Sequence, residues 1–539
     1  MPSPSACPEL PPPVAALCEP SFHQPPAEDI EVLQTHISYI VLAGEYGYKI
    51  KKPVRFAFLD FSTLEQRRFF SAEEVRLNRA LAGDVYQRVA GLQPGSDGGY
   101  QWCDAADPAA EEVVLVMRRL PRQKMLAELL ARGEVSREQI EAIADRLVPF
   151  YADADAGPET AAAGDPDAIG RWMVADFAEM QRFRDDVVAA ADDDAIQEFC
   201  LSTLRRAAPL LRRRQQQGRV RDGHGDLHSD NICLASEGVI IFDRIEFNPS
   251  FRRRDVAADI AFLAMDLEYR GRADLAEHLV RYFAERTGDS ELETLIALFA
   301  CHRAYIRGKV DALKSAGDDV DAEQRAGARA SATAHFALAY RLSWSYRRCL
   351  VVVMGLSGSG KSSLAQALES RTGAGGYNSD RIRKQLAGLA PTDRAGSGDE
   401  AWLYSSELSA RTYGVLLQRA GADLAAGRIA IADATFLRRE YRDQARAIAA
   451  AQGAPVLFVE CVCPAAVVET RIERRIADNH DPSDADFDVY LRQQQDYQPA
   501  AEDDQGDSLV VDTQQPLAEQ LRLVEGELRR RTAVAGLAV

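Results

Sequence analysis

The segment Gly355-Leu356-Ser357-Gly358-Ser359-Gly360-Lys361-Ser362 follows directly on the apolar run Leu350-Val351-Val352-Val353-Met354. A GxxxxGK[ST] pattern between a strand and a helix-compatible segment restricts the fold strongly. Its glycines let backbone N–H groups turn inward around phosphate oxygens, its lysine adds a mobile charge, and its serine suits magnesium. Gly355, Ser357, Gly358, Ser359, Gly360, Lys361, Ser362 and Ser363 are the phosphate-binding candidates, with Ser362 also on the metal. Strand patterns at Arg428–Ala434 and Pro455–Val462 flank an Ala/Arg-rich helical stretch. This βαβα rhythm predicts an α/β P-loop domain with a parallel sheet and helices on both faces.

The accessories select among P-loop types. Ile429-Ala430-Ile431-Ala432-Asp433 ends a strand on an acid suited to magnesium or its water. Ala434 follows where motor ATPases carry a water-activating Glu, and neither NKxD nor LSGGQ occurs. Ser379-Asp380-Arg381-Ile382-Arg383-Lys384 lies beyond the P-loop helix, and Arg471, Arg474 and Arg475 fall at helical spacing. Over about residues 349–515 the chain resembles small-molecule and polynucleotide kinases of the P-loop, AAA-type class. The resemblance implies Asp380 as catalytic base and Arg383 as substrate anchor, although Asp380 equally suits a helix N-cap. It also implies a lid in which Arg471 and Arg475 bring positive charge to the transferred phosphoryl. An ordinary surface helix with Glu469 and Glu473 would look the same.

A second constellation precedes it. His224-Gly225-Asp226-Leu227-His228-Ser229-Asp230-Asn231 leads to Ile240-Ile241-Phe242-Asp243. Phosphoryl transfer needs a carboxylate near the attacking hydroxyl, metal on the phosphates, and positioning. Asp226 and Asn231 can face one site from one loop, and Asp243 at a strand end can hold magnesium. The segment resembles the catalytic loop of aminoglycoside phosphotransferase-like (kinase-like) enzymes, with a match over roughly residues 30–345. The resemblance implies Asp226 as base, Asn231 and Asp243 as magnesium ligands, and His224 as a brace. The ATP lysine it requires fits best at Lys49, with Lys51 and Lys52 adjacent; its acidic partner is Glu73 or Glu74, and Glu74 is preferred. Met117 to Arg119 would form the adenine hinge, and Asp255 and Asp259 resemble a carboxylate that braces the loop. Ile245 stands where protein kinases place a DFG glycine, which argues against that branch. No aminoglycoside signature is evident, so the expected substrates are small hydroxyl compounds.

The 539 residues accommodate about three folding units. With 46% hydrophobic and 27% charged residues, the composition excludes a disordered or fibrous chain. A net charge of −18 disfavours nucleic acid and anionic membranes as partners. Nine cysteines without a CxxC pair give neither a disulfide framework nor a zinc ribbon. No basic n-region or long apolar run occurs, which predicts a cytoplasmic protein. The expected organisation is a disordered Pro-rich lead at 1–28, an N-lobe at 29–120, a helical C-lobe at 121–346 and a P-loop domain at 347–539. The fold class is therefore an α+β bilobal kinase-like domain followed by an α/β P-loop domain.

These features predict two fused ATP- and Mg2+-dependent phosphotransferase modules acting on small-molecule hydroxyls. Three alternatives stay open. The P-loop domain could be a polynucleotide 5′-hydroxyl kinase, favoured by a basic cleft at Arg381, Arg383 and Lys384. It could be a sugar-nucleotide kinase. One nucleotide domain could also regulate the other. Protein partners are not specified.

Overall fold

The computed structural model describes residues 10–56, 58–96, 98–317, 321–390, 400–478, 485–500 and 506–532. They form two compact units, one of residues up to 182 with 207–335, the other of 183–206 with residues from 336 onward.

The first unit opens with a six-stranded antiparallel sheet. Its strands run, in spatial order, Ile30–Gln34, Ser38–Ala43, Tyr46–Lys51, Glu112–Arg118, Tyr86–Pro94 and Tyr100–Cys103. Strands Ser38–Ala43 and Tyr46–Lys51 form a hairpin: Ser38 pairs with Lys51 and Ala43 with Tyr46. Its turn needs Gly44, whose φ of +56° is unfavourable for other residues. Helix Leu64–Ala82 starts at a Thr63–Gln66 capping box and packs on this sheet, turning Glu74 and Leu77 inward. Val113 to Val116 are all buried, as a strand covered on both faces requires. In the helical half, every residue from Val256 to Leu267 is buried, so helix Val256–Tyr269 forms its centre. Helices Ala273–Thr287 and Glu293–Ser315 pack against it.

The Pro-rich lead requires a correction. Residues 1–9 lie outside the described residues, but Pro12–Leu17 is a helix rather than disordered chain. Val14 and Leu17, three apart, bury fully against a cluster containing Val41, Tyr48 and Trp102. Pro12 opens the helix, where its missing N–H costs nothing. Proline content concealed a short amphipathic anchor.

The second unit is built on a five-stranded, all-parallel sheet. Its spatial order is Gly375–Asn378, Ile429–Asp433, Cys349–Met354, Val456–Val462 and Ser508–Asp512. All six residues of the central strand are wholly buried, which requires cover on both faces. Leu350, Val352 and Met354 share a core with Leu416, Leu417, Ala445 and Ala449 of helices Ser406–Ala425 and Arg439–Ala451. Helix Lys361–Thr372 also packs on the central strand, and helix Leu517–Arg531 packs on it in turn. Residues 183–206 and 336–346 are tied in by Arg371, which donates to Asp192 (2.9 Å) and Glu525 (2.5 Å), and by Tyr340, which donates to Glu525 (2.7 Å). No helix among the described residues is long and apolar enough to cross a membrane.

Candidate active sites

In the first unit the loop from Gly223 to Asn231 is held by groups distant in sequence. Asp259, buried on the central helix, accepts from the N–H of His224 (2.7 Å), the N–H of Gly225 (3.1 Å) and the Tyr151 hydroxyl (3.0 Å). A Cβ at Gly223 would lie 2.4 Å from the Asp259 carboxylate, so only glycine permits this approach. His224 accepts from the Asp226 N–H at Nδ1 (3.2 Å) and donates from Nε2 to the Phe242 carbonyl (2.9 Å). Burial pushes its imidazole below the ordinary histidine range, consistent with a neutral strut. Asp255 serves elsewhere, in a buried paired contact with Arg214 (2.8 Å).

Asn231 donates to the Asp226 carbonyl (3.0 Å), and His228 Nε2 lies 3.3 Å from Asp226 Oδ2. Burial opposes ionisation of Asp226. The neighbouring His228 and Arg307 charges outweigh it and hold the carboxyl well below the usual carboxylate range. Asp243 sits at φ +61°, a left-handed conformation that Asp tolerates, and its N–H donates to the Tyr86 hydroxyl (3.0 Å). That turn places its carboxylate 3.0 Å from Lys49 Nζ.

Among the lysine candidates, Lys49 bridges Glu74 (2.7 Å) and Asp243. Lys51 is buried, donating to the other Glu74 oxygen (2.6 Å) and to Glu246. Lys52 lies over the Tyr39 ring, and Glu73 pairs with Arg76 instead (2.7 Å). The structure therefore brings together Lys49, Glu74, Asp243, Lys51 and Glu246. Burial opposes the Lys49 charge, but Asp243, Glu74 and Glu246 hold its pKa well above the lysine range. Two lysines face three carboxylates here, and Asp243 is the carboxylate that reaches solvent. At the expected hinge, Met117 to Arg119, two backbone donors are engaged. The N–H groups of Arg118 and Arg119 already bond to Val85 (2.8 Å) and Glu45 (2.7 Å) within the sheet.

In the second unit the P-loop leaves the carboxyl end of the central strand, at the crevice where open parallel sheets bind ligands. Gly355, Gly358 and Gly360 have φ of +143°, +77° and +90°. A Cβ at Gly355 would lie 2.6 Å from the Cys461 carbonyl, so the turn depends on glycine. Ser357 and Ser359 are buried, Lys361 and Ser362 half-buried, and Ser363 exposed. Lys361 has no hydrogen-bond or ion-pair partner among the described residues. Beside it, Asp433 ends the adjacent strand in register with Val353 and accepts from Asn378 (2.6 Å). Burial pushes the Asp433 carboxyl up, against the pull of Lys361, and its Oδ1 is enclosed with no partner. The Ser359 hydroxyl is likewise enclosed and unpaired. These orphaned polar atoms and the unpaired lysine fit a site built for a phosphate–metal group.

The accessories divide. Asn378, not Asp380, caps helix Ser379–Leu386; Asp380 lies half-buried on its first turn, close enough to Asp433 for their charges to interact. Arg383 is buried, bonding to the Leu403 carbonyl and the Ser409 hydroxyl (both 3.2 Å), so it anchors a helix rather than facing substrate. Lys384 is buried too, leaving Arg381 as the exposed member of the supposed basic cleft. On helix Ala465–Asp478, Arg471 is fixed beside the P-loop by Thr513, through Oγ1 (2.9 Å) and the carbonyl (2.8 Å). Arg475 donates to the Ala485 carbonyl, and Arg474 is exposed.

Sequence reasoning missed Glu246, Asn378 and Thr513, and also Gln493, whose Oε1 accepts from the Ser357 N–H (2.9 Å). Glu246 carried a faint signal as a polar residue between Ile245 and Phe247 beyond a strand pattern, and Asn378 another at the head of the polar run Asn378-Ser379-Asp380. Thr513 and Gln493 carried none.

Residues 350–500 match the AAA domain family. The chain is 30% identical over 452 residues to Mycobacterium tuberculosis protein Rv2004c and to Mycobacterium bovis protein Mb2027c, both named as uncharacterized. The match covers 84% of this chain and 87% of each relative. Among solved structures, a choline/ethanolamine kinase family protein from Mesorhizobium loti aligns with 58% of this chain and 92% of its own, at 17% identity and a TM-score of 0.34. A gluconokinase from Sinorhizobium meliloti 1021 aligns with 34% of this chain and 93% of its own, at 25% identity and a TM-score of 0.25.

Proposed function

This chain belongs to the family of the mycobacterial proteins Rv2004c and Mb2027c, and from that premise we propose that it carries two ATP- and Mg2+-dependent phosphotransferase sites, each acting on a small-molecule hydroxyl. One observation carries the reading. Each unit carries a carboxylate suited to metal, a lysine suited to phosphate and a further acid suited to the acceptor: Asp243, Lys49 and Asp226 in the first, Asp433, Lys361 and Asp380 in the second.

In the first site Asp226 receives the acceptor's hydroxyl proton and orients its oxygen. A carboxylate held so acidic acts mainly by positioning, taking the proton late in transfer. Asn231 and Asp243 would hold magnesium, and Lys49, oriented by Glu74, would hold phosphate oxygens. In the second site the P-loop N–H groups and Lys361 cradle phosphates, Ser362 and Asp433 would hold magnesium, and Asp380 is the candidate base. Arg471 and Arg475 would add positive charge where negative charge spreads during transfer. Bound Mg·ATP supplies the phosphoryl group at both. Because Arg383 and Lys384 are buried, the small-molecule reading is preferred to the polynucleotide one.

The test offers γ-labelled ATP and a cell metabolite extract to wild type, Asp226→Asn and Lys361→Ala. Each variant is expected to lose a different labelled product. Product patterns unchanged by either substitution would refute the two-site reading.

A further inference from the structure

Helix Glu293–Ser315 carries Arg303 and Arg307 one turn apart, and Arg254 approaches from the strand leading into helix Val256–Tyr269. Arg303 is only 7% exposed, yet makes no hydrogen bond or ion pair among the described residues, and its Nη2 is fully enclosed. Its guanidinium instead lies 4.7 Å from the Phe262 ring centre. That ring stacks on His228 at 5.5 Å, and His228 reaches Asp226 at 3.3 Å. Arg303 is thus two side chains from the proposed base.

Arg254 gives Nε to the Phe251 carbonyl (2.7 Å) and lies 5.1 Å over Trp172; its two terminal nitrogens have no acceptor among the described residues. Half-buried Arg307 likewise has none, and its charge acts on Asp226 and Asp230. The neighbouring carboxylates are committed elsewhere. Asp176 accepts from Lys309 (2.6 Å) and lies 3.1 Å from His302, while Asp259 holds the catalytic loop. Asp259, Asp226 and Asp176 lend Arg303 opposing charge at a distance, but none bonds to it, and a buried guanidinium with no direct partner is unfavourable. With half-buried Arg254 and Arg307 beside it, the cluster suits an anion from outside the chain.

We propose that Arg303, Arg254 and Arg307 form the acceptor subsite of the first module, and that its substrate is a hydroxyl compound bearing a phosphate or carboxylate. The inference rests on reading Asp226 as the base of that module. Paired arginines suit either anion through charge-assisted hydrogen bonds. The Trp172 face beside Arg254 offers a surface for the carbon skeleton. A cationic acceptor would be repelled by the same three charges.

The test uses the full chain saturated with Mg2+ and a non-hydrolysable ATP analogue, so that the nucleotide sites are filled. Glycerol, D-glycerate and glycerol 3-phosphate are then titrated calorimetrically. At least one anionic probe is expected to bind ten times more tightly than glycerol, and the better of the two identifies the anion. Arg303→Gln should weaken that binding about tenfold or more. Arg307→Gln, at a half-buried position, should weaken it severalfold and serves if the first variant misfolds. Equal binding of all three probes, or an anion preference that survives both substitutions, would overturn the subsite. Anion binding that persists in a Lys361→Ala chain unable to bind the analogue would uphold the subsite and remove the kinase reading of the first module.

Discussion

Glu74 Oε2 accepts a 2.6 Å hydrogen bond from Lys51, leaving Oε1 for Lys49 and dividing one buried carboxylate between two lysines. Lys51 also contacts Glu246, so the helix, the sheet and the turn after Asp243 meet at its ammonium. Lys51→Met would leave two buried carboxylates facing one lysine. Breaking such a network costs about 3–5 kcal/mol, and calorimetry should show the first unit's melting transition lowered by roughly 5–10 °C. Adding Glu246→Gln should recover part of the loss. A Lys51→Met chain that melts like wild type would show that the network contributes no stability.

Lys361 stands unpaired beside Asp433, which makes its removal a clean test of phosphate binding. Lys361→Ala removes a charge-assisted contact worth about 1.5–3 kcal/mol, so nucleotide affinity at the P-loop should fall about ten- to over a hundredfold. Titration of a fluorescent ATP analogue against an Asp243→Asn, Lys361→Ala chain and its Asp243→Asn parent isolates this site. Equal affinities would exclude Lys361 from phosphate binding.

Legibility in the sequence followed locality. The P-loop and the Asp226–Asn231 loop place their functional groups within eight residues, so residue type and spacing suffice to recognise them. Asp433 was legible because a parallel strand ends where the crevice opens. Lys49 and Glu74 are 25 residues apart, and only the helix packing distinguishes Glu74 from Glu73. Arg383 was misread because an amphipathic basic helix looks alike whether it faces substrate or the helix Ser406–Ala425. Glu246 and Thr513 pair across 195 and 154 residues, distances over which one sequence holds no pairing signal.

Acidity should weaken the first unit before its carboxylates titrate. Burial pushes both His302 and His224 below the ordinary histidine range, in His302 against the pull of Asp176. A group whose folded pKa lies below its unfolded value of about 6.5 stabilises fully above that pH and loses the contribution as pH falls toward the folded value. Each histidine contributes a slope of at most about 1.4 kcal/mol per pH unit. Burial opposes the His228 charge, but Asp226 raises its pKa to about 9, so His228 works in the opposite sense and offsets part of the loss. Urea unfolding of the first unit, followed by hydrogen exchange in helix Val256–Tyr269, should still give lower stability at pH 5 than at pH 7. His302→Gln should flatten that slope by one proton. A wild-type stability that is level across this range would contradict the assignment.

Thr513 couples Arg471 to the P-loop through one hydroxyl. Its Oγ1 donates to the Ser359 carbonyl (2.6 Å) and accepts from Arg471 Nη1 (2.9 Å), using both directions of a single oxygen. Thr513→Val keeps the side-chain shape and deletes both bonds, while the Thr513 carbonyl still accepts from Arg471 Nη2. Each lost bond contributes about 1 kcal/mol, so nucleotide affinity at this site should fall roughly fivefold or more, with a melting shift of only a few degrees. Thr513→Ser restores the hydroxyl and should restore affinity. If Thr513→Val binds nucleotide as tightly as wild type, Arg471 is held there for the fold of the helix alone.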